Sequence, residues 1–190
     1  MGSFEYIARF DGACWPNPGG HAACACVITR GTDEVHREAI YLGVGAEQTN
    51  NVSEFAGLLL VLKWLKANAP EASTQIVSDS TIVVNRMKSR TLPKGVCRAK
   101  ANECLTMLSS VPNLCFLWQP REHNSECDGM CEAALRKEGV LVAQGHPVPF
   151  RSASAHTGIP PKPYWTALEE RIARLEAELR LREKNTVVCV

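Results

Sequence analysis

Four carboxylates stand where apolar runs of the chain break off or begin. Asp11 lies between "YIARF" and "GACWPNPGG", Glu54 precedes "FAGLLLVLKWL", Asp79 follows "QIVS", and Asp128 lies within "NSECDGMCEAAL". Each has an ordinary explanation when taken alone. Asp11-Gly12 is a turn dipeptide, Asp79 suits the cap of a following helix, and Asn51-Val52-Ser53-Glu54 and Ser125-Glu126-Cys127-Asp128 have the form of capping boxes. Carboxylates at neighbouring strand and helix ends of one sheet can also converge on a single point, where they repel strongly unless cations neutralise them. Hard divalent ions suit oxygen ligands, and magnesium keeps part of its water shell, leaving room for phosphate oxygens. Two such ions about 4 Å apart stabilise both the attacking water and the departing oxygen of a phosphodiester.

The elements that must position these groups follow from periodicity. Phe4 to Phe10, Ala22 to Thr29 and Val35 to Leu42 have the two-residue alternation of strands, with Gly19-Gly20 and Gly31-Thr32-Asp33 as turns. The opening third is therefore predicted to be an antiparallel meander whose first strand Asp11 closes. From Asn51 to about Asn68 the apolar residues Phe55, Leu58, Leu59, Leu62 and Leu65 recur at helical spacing, predicting an amphipathic helix with Glu54 in its first turn. Gln75 to Ser78 and Leu114 to Trp118 are predicted strands; Ser80 to Lys88, Gly95 to Ser110 and Glu126 to Lys137 are predicted helices. The expected fold class is α/β, a mixed five-stranded sheet of three antiparallel strands with parallel additions, flanked by helices.

The 190 residues, 45% of them hydrophobic, suffice for one domain with an appendage. No run approaches the roughly 18 to 20 apolar residues of a membrane span, and "MGSFEYIARF" lacks the pattern of a secretory signal. A soluble, cytoplasmic protein without membrane partners is expected. Nine cysteines without a CxxC pair read as reduced thiols that fill the core. The net charge of +1 decides nothing about polyanionic partners.

"FDGACWPNPGG", "TNNVSEFAGLLLVLKWL", "IVSDSTIVVNRM" and "WQPREHNSECDGMCEAAL" resemble, in order, the four signature segments of type 1 ribonuclease H. The compact last segment is similar to the shorter members, which lack the long basic protrusion. The resemblance implies a ribonuclease H-like fold and hydrolysis of the RNA strand of RNA/DNA hybrids, with two Mg2+ ions for which Mn2+ can substitute. It also implies that Asp11, Glu54, Asp79 and Asp128 are the catalytic, metal-binding set. Asn17, Thr49, Asn50 and Asn51 match residues that contact the hybrid around its minor groove, where 2′-hydroxyls distinguish RNA from DNA. His123, five residues before Asp128, is a candidate proton shuttle or product-release group, with an exposed loop histidine as the plainer alternative. Arg121 is its rival, as a fixed positive charge near phosphate.

From Ser80 to Asn102 the chain carries Arg86, Lys88, Arg90, Lys94, Arg98 and Lys100 and no acidic residue. Lys94, Arg98 and Lys100 are accordingly expected to bind nucleic-acid phosphates, the alternative being a solvated face. A noncatalytic binding module, or a nuclease of the same fold acting on DNA or double-stranded RNA, remains a rival reading.

The catalytic domain is expected over residues 1–139, followed by a Pro/Gly/Ser-rich linker over 140–163, a helix over 164–184 and a short tail over 185–190. Leu168, Ile172, Leu175 and Leu179 form an apolar stripe that can pair with a second copy as a short coiled coil or fold back onto an apolar patch of its own domain; of the two, a homodimer through residues 165–182 is expected. Light scattering of the full chain should show a dimer that a chain cut after the domain no longer forms; a monomer at high concentration would end that reading.

Overall fold

The computed structural model describes residues 4–143 and 146–149. The helix expected over 164–184, and with it the dimer seam, lies outside the described residues. Strands β1 (Tyr6–Trp15), β2 (His21–Arg30) and β3 (Asp33–Val44) form the meander, and α1 (Asn50–Asn68) follows. Next come β4 (Thr74–Ser78), α2 (Thr81–Ser89), α3 (Arg98–Leu108), β5 (Leu114–Trp118), a 3-10 turn (Arg121–His123) and α4 (Ser125–Lys137). The five strands make one mixed sheet in the order β3-β2-β1-β4-β5. β1 and β2 pair antiparallel, as do β2 and β3, whereas β4 runs parallel to both β1 and β5. This is the expected fold class.

β2 has no solvent side: Ala22 to Ile28 are all buried. Cys24, Cys26 and Ile28 face a core shared with α1, α2 and α3, while Ala23, Ala25 and Val27 pack with Cys127, Cys131 and Leu135 of α4. Alternation along the strand thus separates two apolar layers rather than apolar from wet. α1 also departs from expectation. Residues 55 to 62 are buried without interruption, so its central turns are covered on every side rather than along one stripe. Trp118 is 45% exposed at the edge strand β5.

The compact unit extends to Phe150, past the boundary read at Gly139. β6 (Val140–Ala143) and β7 (His146–Pro149) pair antiparallel within residues that composition had assigned to the linker. Val140 is 2% exposed and belongs to the layer under α4. Full burial of a valine stabilises by about 1.5–3 kcal/mol, and each kcal/mol moves Tm by roughly 2–4 °C at this size. A chain ending at Gly139 should therefore melt several degrees below one ending at Phe150, as circular dichroism would measure.

Candidate active site

Two glycines let β1 and α1 approach until their backbones touch. A Cβ on Gly12 would lie 2.2 Å from the Glu54 nitrogen, and one on Gly57 would lie 2.5 Å from the Asp11 carbonyl oxygen. Asp11-Gly12 is therefore not a turn. β1 runs on through Trp15, with Asp11 opposite Ala25, and the chain reverses only between Trp15 and His21. α1 starts earlier than the capping-box pattern suggests: Thr49 is the cap, its Oγ1 accepting from Val52 N at 3.1 Å. Glu54 accordingly stands past the first turn, level with Gly12 of the strand. Asp79 is at the C-terminal end of β4, and the cap of α2 is its neighbour Ser80, whose Oγ accepts from Val83 N. Asp128 lies in the first turn of α4.

All four carboxylates line one cavity of about 330 Å³, together with Gly12, Asn17, Asn50 and Arg121. Asp11 is 5% exposed, and its Oδ1 accepts from Gly12 N at 2.8 Å. Burial, reinforced by the charge of Asp79, raises its pKa from the ordinary 3.8 to about 7. Burial raises the Glu54 carboxyl well above its ordinary range too, with Asp11 and Asp79 adding to the effect. Glu54 Oε2 is buried without a hydrogen-bond partner among the described residues. Arg121 offers partial compensation: its guanidinium donates to Asp128 Oδ1 at 2.5 Å. Five carboxylates on the wall, counting Glu132, which pairs with Arg136, against the one guanidinium of Arg121, with a buried carboxylate oxygen left over, fit a hard divalent cation.

Asn124, absent from the sequence reading, organises one wall. It is 3% exposed and precedes α4, yet its side chain makes no capping bond. Instead its Nδ2 donates to Asp79 Oδ1 and to the Phe10 carbonyl, each at 2.9 Å. One amide thus links the ends of β1 and β4 to the start of α4. Trp118 Nε1 holds the backbone of the same aspartate by donating to the Asp79 carbonyl at 2.9 Å. The only sequence signal for Asn124 was its position before a helix, which points to a cap.

The remaining candidates divide by location. Asn17 and Asn50 are at the rim, joined by a bond from Asn50 N to Asn17 Oδ1 of 3.1 Å. Asn51 lines a neighbouring groove with Thr81, Asn85, Arg86 and Lys94, and Thr49 serves as the helix cap. Arg98 and Lys100 line neither hollow, and Lys100 pairs with Glu103 at 3.3 Å. His123 is exposed and, unlike Arg121, is not part of the cavity wall.

The RNase H family model matches residues 5–162. The chain belongs to the RNase H family. Ribonuclease H is accordingly its enzyme class. Among solved structures it is similar to LC11-RNase H1, isolated from compost by a metagenomic approach and solved in complex with RNA/DNA hybrid. Identity is 26% and the TM-score 0.64, over 70% of this chain and 98% of that one. RNase H1 from the halophilic archaeon Halobacterium salinarum shares the fold at 24% identity and TM-score 0.62, over 70% of this chain and 98% of that chain. A foamy viral protease-reverse transcriptase in complex with RNA/DNA hybrid shares it at 16% identity and TM-score 0.56, over 69% of this chain and 20% of the viral one.

The raised pKa of Asp11 makes a signed prediction for this RNase H. The folded carboxyl binds its proton more tightly than the unfolded one, so its contribution to stability is present below about 3.8 and is lost as pH rises to about 7. In chelator, Asp11→Asn should therefore melt increasingly above the parent protein as pH is raised from 4 to 7. Saturating Mg2+ should shrink the gap. A pH-independent difference in melting temperature would contradict the assignment.

Proposed function

We propose that this chain cleaves the RNA strand of RNA/DNA hybrids endonucleolytically, with water as nucleophile and products carrying 5′-phosphate and 3′-hydroxyl ends. The observation that carries the reading is the convergence of Asp11, Glu54, Asp79 and Asp128 on one cavity whose rim bears Asn17 and Asn50. The four carboxylates would hold two divalent ions, magnesium or manganese. When bound, such ions supply the positive charge that favours hydroxide formation and stabilises the departing oxygen.

The chain's own groups do the rest. The nearly buried Asp11 excludes bulk water from the floor of the site, and Asn124 fixes the rotamer of Asp79 so that its second oxygen keeps one direction. Arg121, on the cavity wall, draws phosphate toward the carboxylates and is favoured over His123 as the assisting cation, since His123 stands outside that wall. Asn17 and Asn50 meet the minor groove of the hybrid. The groove containing Asn51, Arg86 and Lys94 receives the backbone of the other strand, where exposed cations bind phosphate in a salt-dependent way. Lys100, engaged by Glu103, contributes less than Lys94.

Asp79→Asn tests the assignment. It keeps the side chain's shape but removes charge from the cluster, so cleavage should fall by orders of magnitude while the melting temperature holds or rises. Hybrid affinity should survive. The cleavage assay uses labelled RNA/DNA hybrid, RNA duplex and DNA duplex, each with magnesium and with chelator. Full activity of the variant would sink the metal-site assignment, and magnesium-dependent cleavage of either duplex in preference to the hybrid would reassign the substrate.

A further inference from the structure

The hairpin of β2 and β3 carries a second group of potential ligands in "CVITRGTDEVHRE", residues 26–38. Its register sets Cys26 opposite Glu38 and Ile28 opposite His36. Since Cys26 and Ile28 both face the core beneath α1, all three ligand-bearing residues share that face of the sheet. The Cys26 Sγ, an imidazole nitrogen of His36 and a carboxylate oxygen of Glu38 lie within 4.8 Å of one another. None of the three lines the acidic cavity.

His36 and Glu38 are at ion-pair distance, and the details also suit a ligand set. His36 Nε2 is buried and has no hydrogen-bond partner among the described residues. It stands 3.4 Å from Glu38 Oε2, beyond the usual 2.7–3.2 Å of an N–H···O bond. Nitrogen and oxygen ligands each roughly 2.0–2.1 Å from a tetrahedral ion stand about 3.4 Å apart, which is the spacing found. The ring is held by Trp64 of α1, stacked at 5.7 Å between centroids with planes 24° apart. Cys26 is fully buried, whereas the side chains of His36 and Glu38 are 24% and 40% exposed, so an ion here has protein on one side and solvent on the other.

We propose that Cys26, His36 and Glu38 bind one zinc-class divalent ion at a site separate from the acidic cavity. Thiolate and imidazole select zinc and its neighbours in the transition series over magnesium, whose preference is for oxygen alone. Three protein ligands leave a fourth position for water. The site pins β3, the edge strand of the sheet, to β2 and so to the core beneath α1. Its role is to hold the edge strand and not to do chemistry on nucleic acid.

The full chain, reduced and stripped with chelator, is titrated with Co2+ in excess Mg2+, which occupies the carboxylate cavity. A thiolate-to-cobalt charge-transfer band should grow to a single equivalent and disappear when Zn2+ is added. Cys26→Ser and His36→Gln should each abolish the band, while Cys24→Ser, Cys115→Ser and Asp11→Asn keep it. Because Cys26 is buried, His36→Gln gives the independent check on folded protein. Zn2+ should raise the melting temperature of the parent chain and leave that of His36→Gln unchanged. Absence of the band, or its survival in both Cys26→Ser and His36→Gln, would overturn the proposal.

Discussion

Backbone meets backbone where β1 crosses α1, and the site depends on that contact. Gly12 and Gly57 leave no side chain between the elements, since a Cβ on either would overlap main-chain atoms of the other. The crossing brings Asp11 and Glu54 to the same cavity and removes water from both. Parallel pairing of β4 with β1 adds Asp79, and α4, packed on the opposite face, brings Asp128 to the same end of the sheet. A larger residue at either glycine would push strand and helix apart and disperse the carboxylates before it disturbed any other part of the domain.

Such a cluster works against the fold that carries it. Buried carboxylates lose hydration and repel one another, and both effects raise their proton affinity. The opposing contribution is apolar burial on both faces of the sheet: α1 is covered through its middle turns, and β2 is buried on both sides. Cys24, Cys97, Cys104, Cys127 and Cys131 add small apolar volume to these layers as free thiols. An electrostatically unfavourable cluster is thus mounted on elements that are buried on every side.

The fold was legible wherever residue type and periodicity agreed. The meander, the long helix and the alternation that follows are visible in spacing, and the acidic positions stand out because each interrupts an apolar run. Local patterns misled where long-range contacts prevailed. Asp11-Gly12 has turn chemistry, yet Gly12 is present for the close approach of α1, a contact 42 positions away in the chain. Helical spacing in α1 suggested one buried stripe, but residues outside it are covered by elements whose position no local window contains. Asn124 has the form of a cap, while its amide reaches strands formed from distant segments. Composition placed the end of the domain at Gly139, though the next residue, Val140, completes the layer beneath α4.

The two rim asparagines have a fixed orientation. Asn17 Oδ1 accepts from Asn50 N at 3.1 Å, and Asn50 Oδ1 accepts from Cys14 N at 2.8 Å. Both partners are main-chain N–H groups, which can only donate, so the oxygen of each amide must face the protein. Each amide nitrogen is then the group left to meet whatever arrives. The edge of the cavity presents hydrogen and withholds lone pairs, giving it a chemical polarity opposite to that of the carboxylate floor. A rim of this polarity favours hydrogen-bond acceptors over donors, while the floor favours cations.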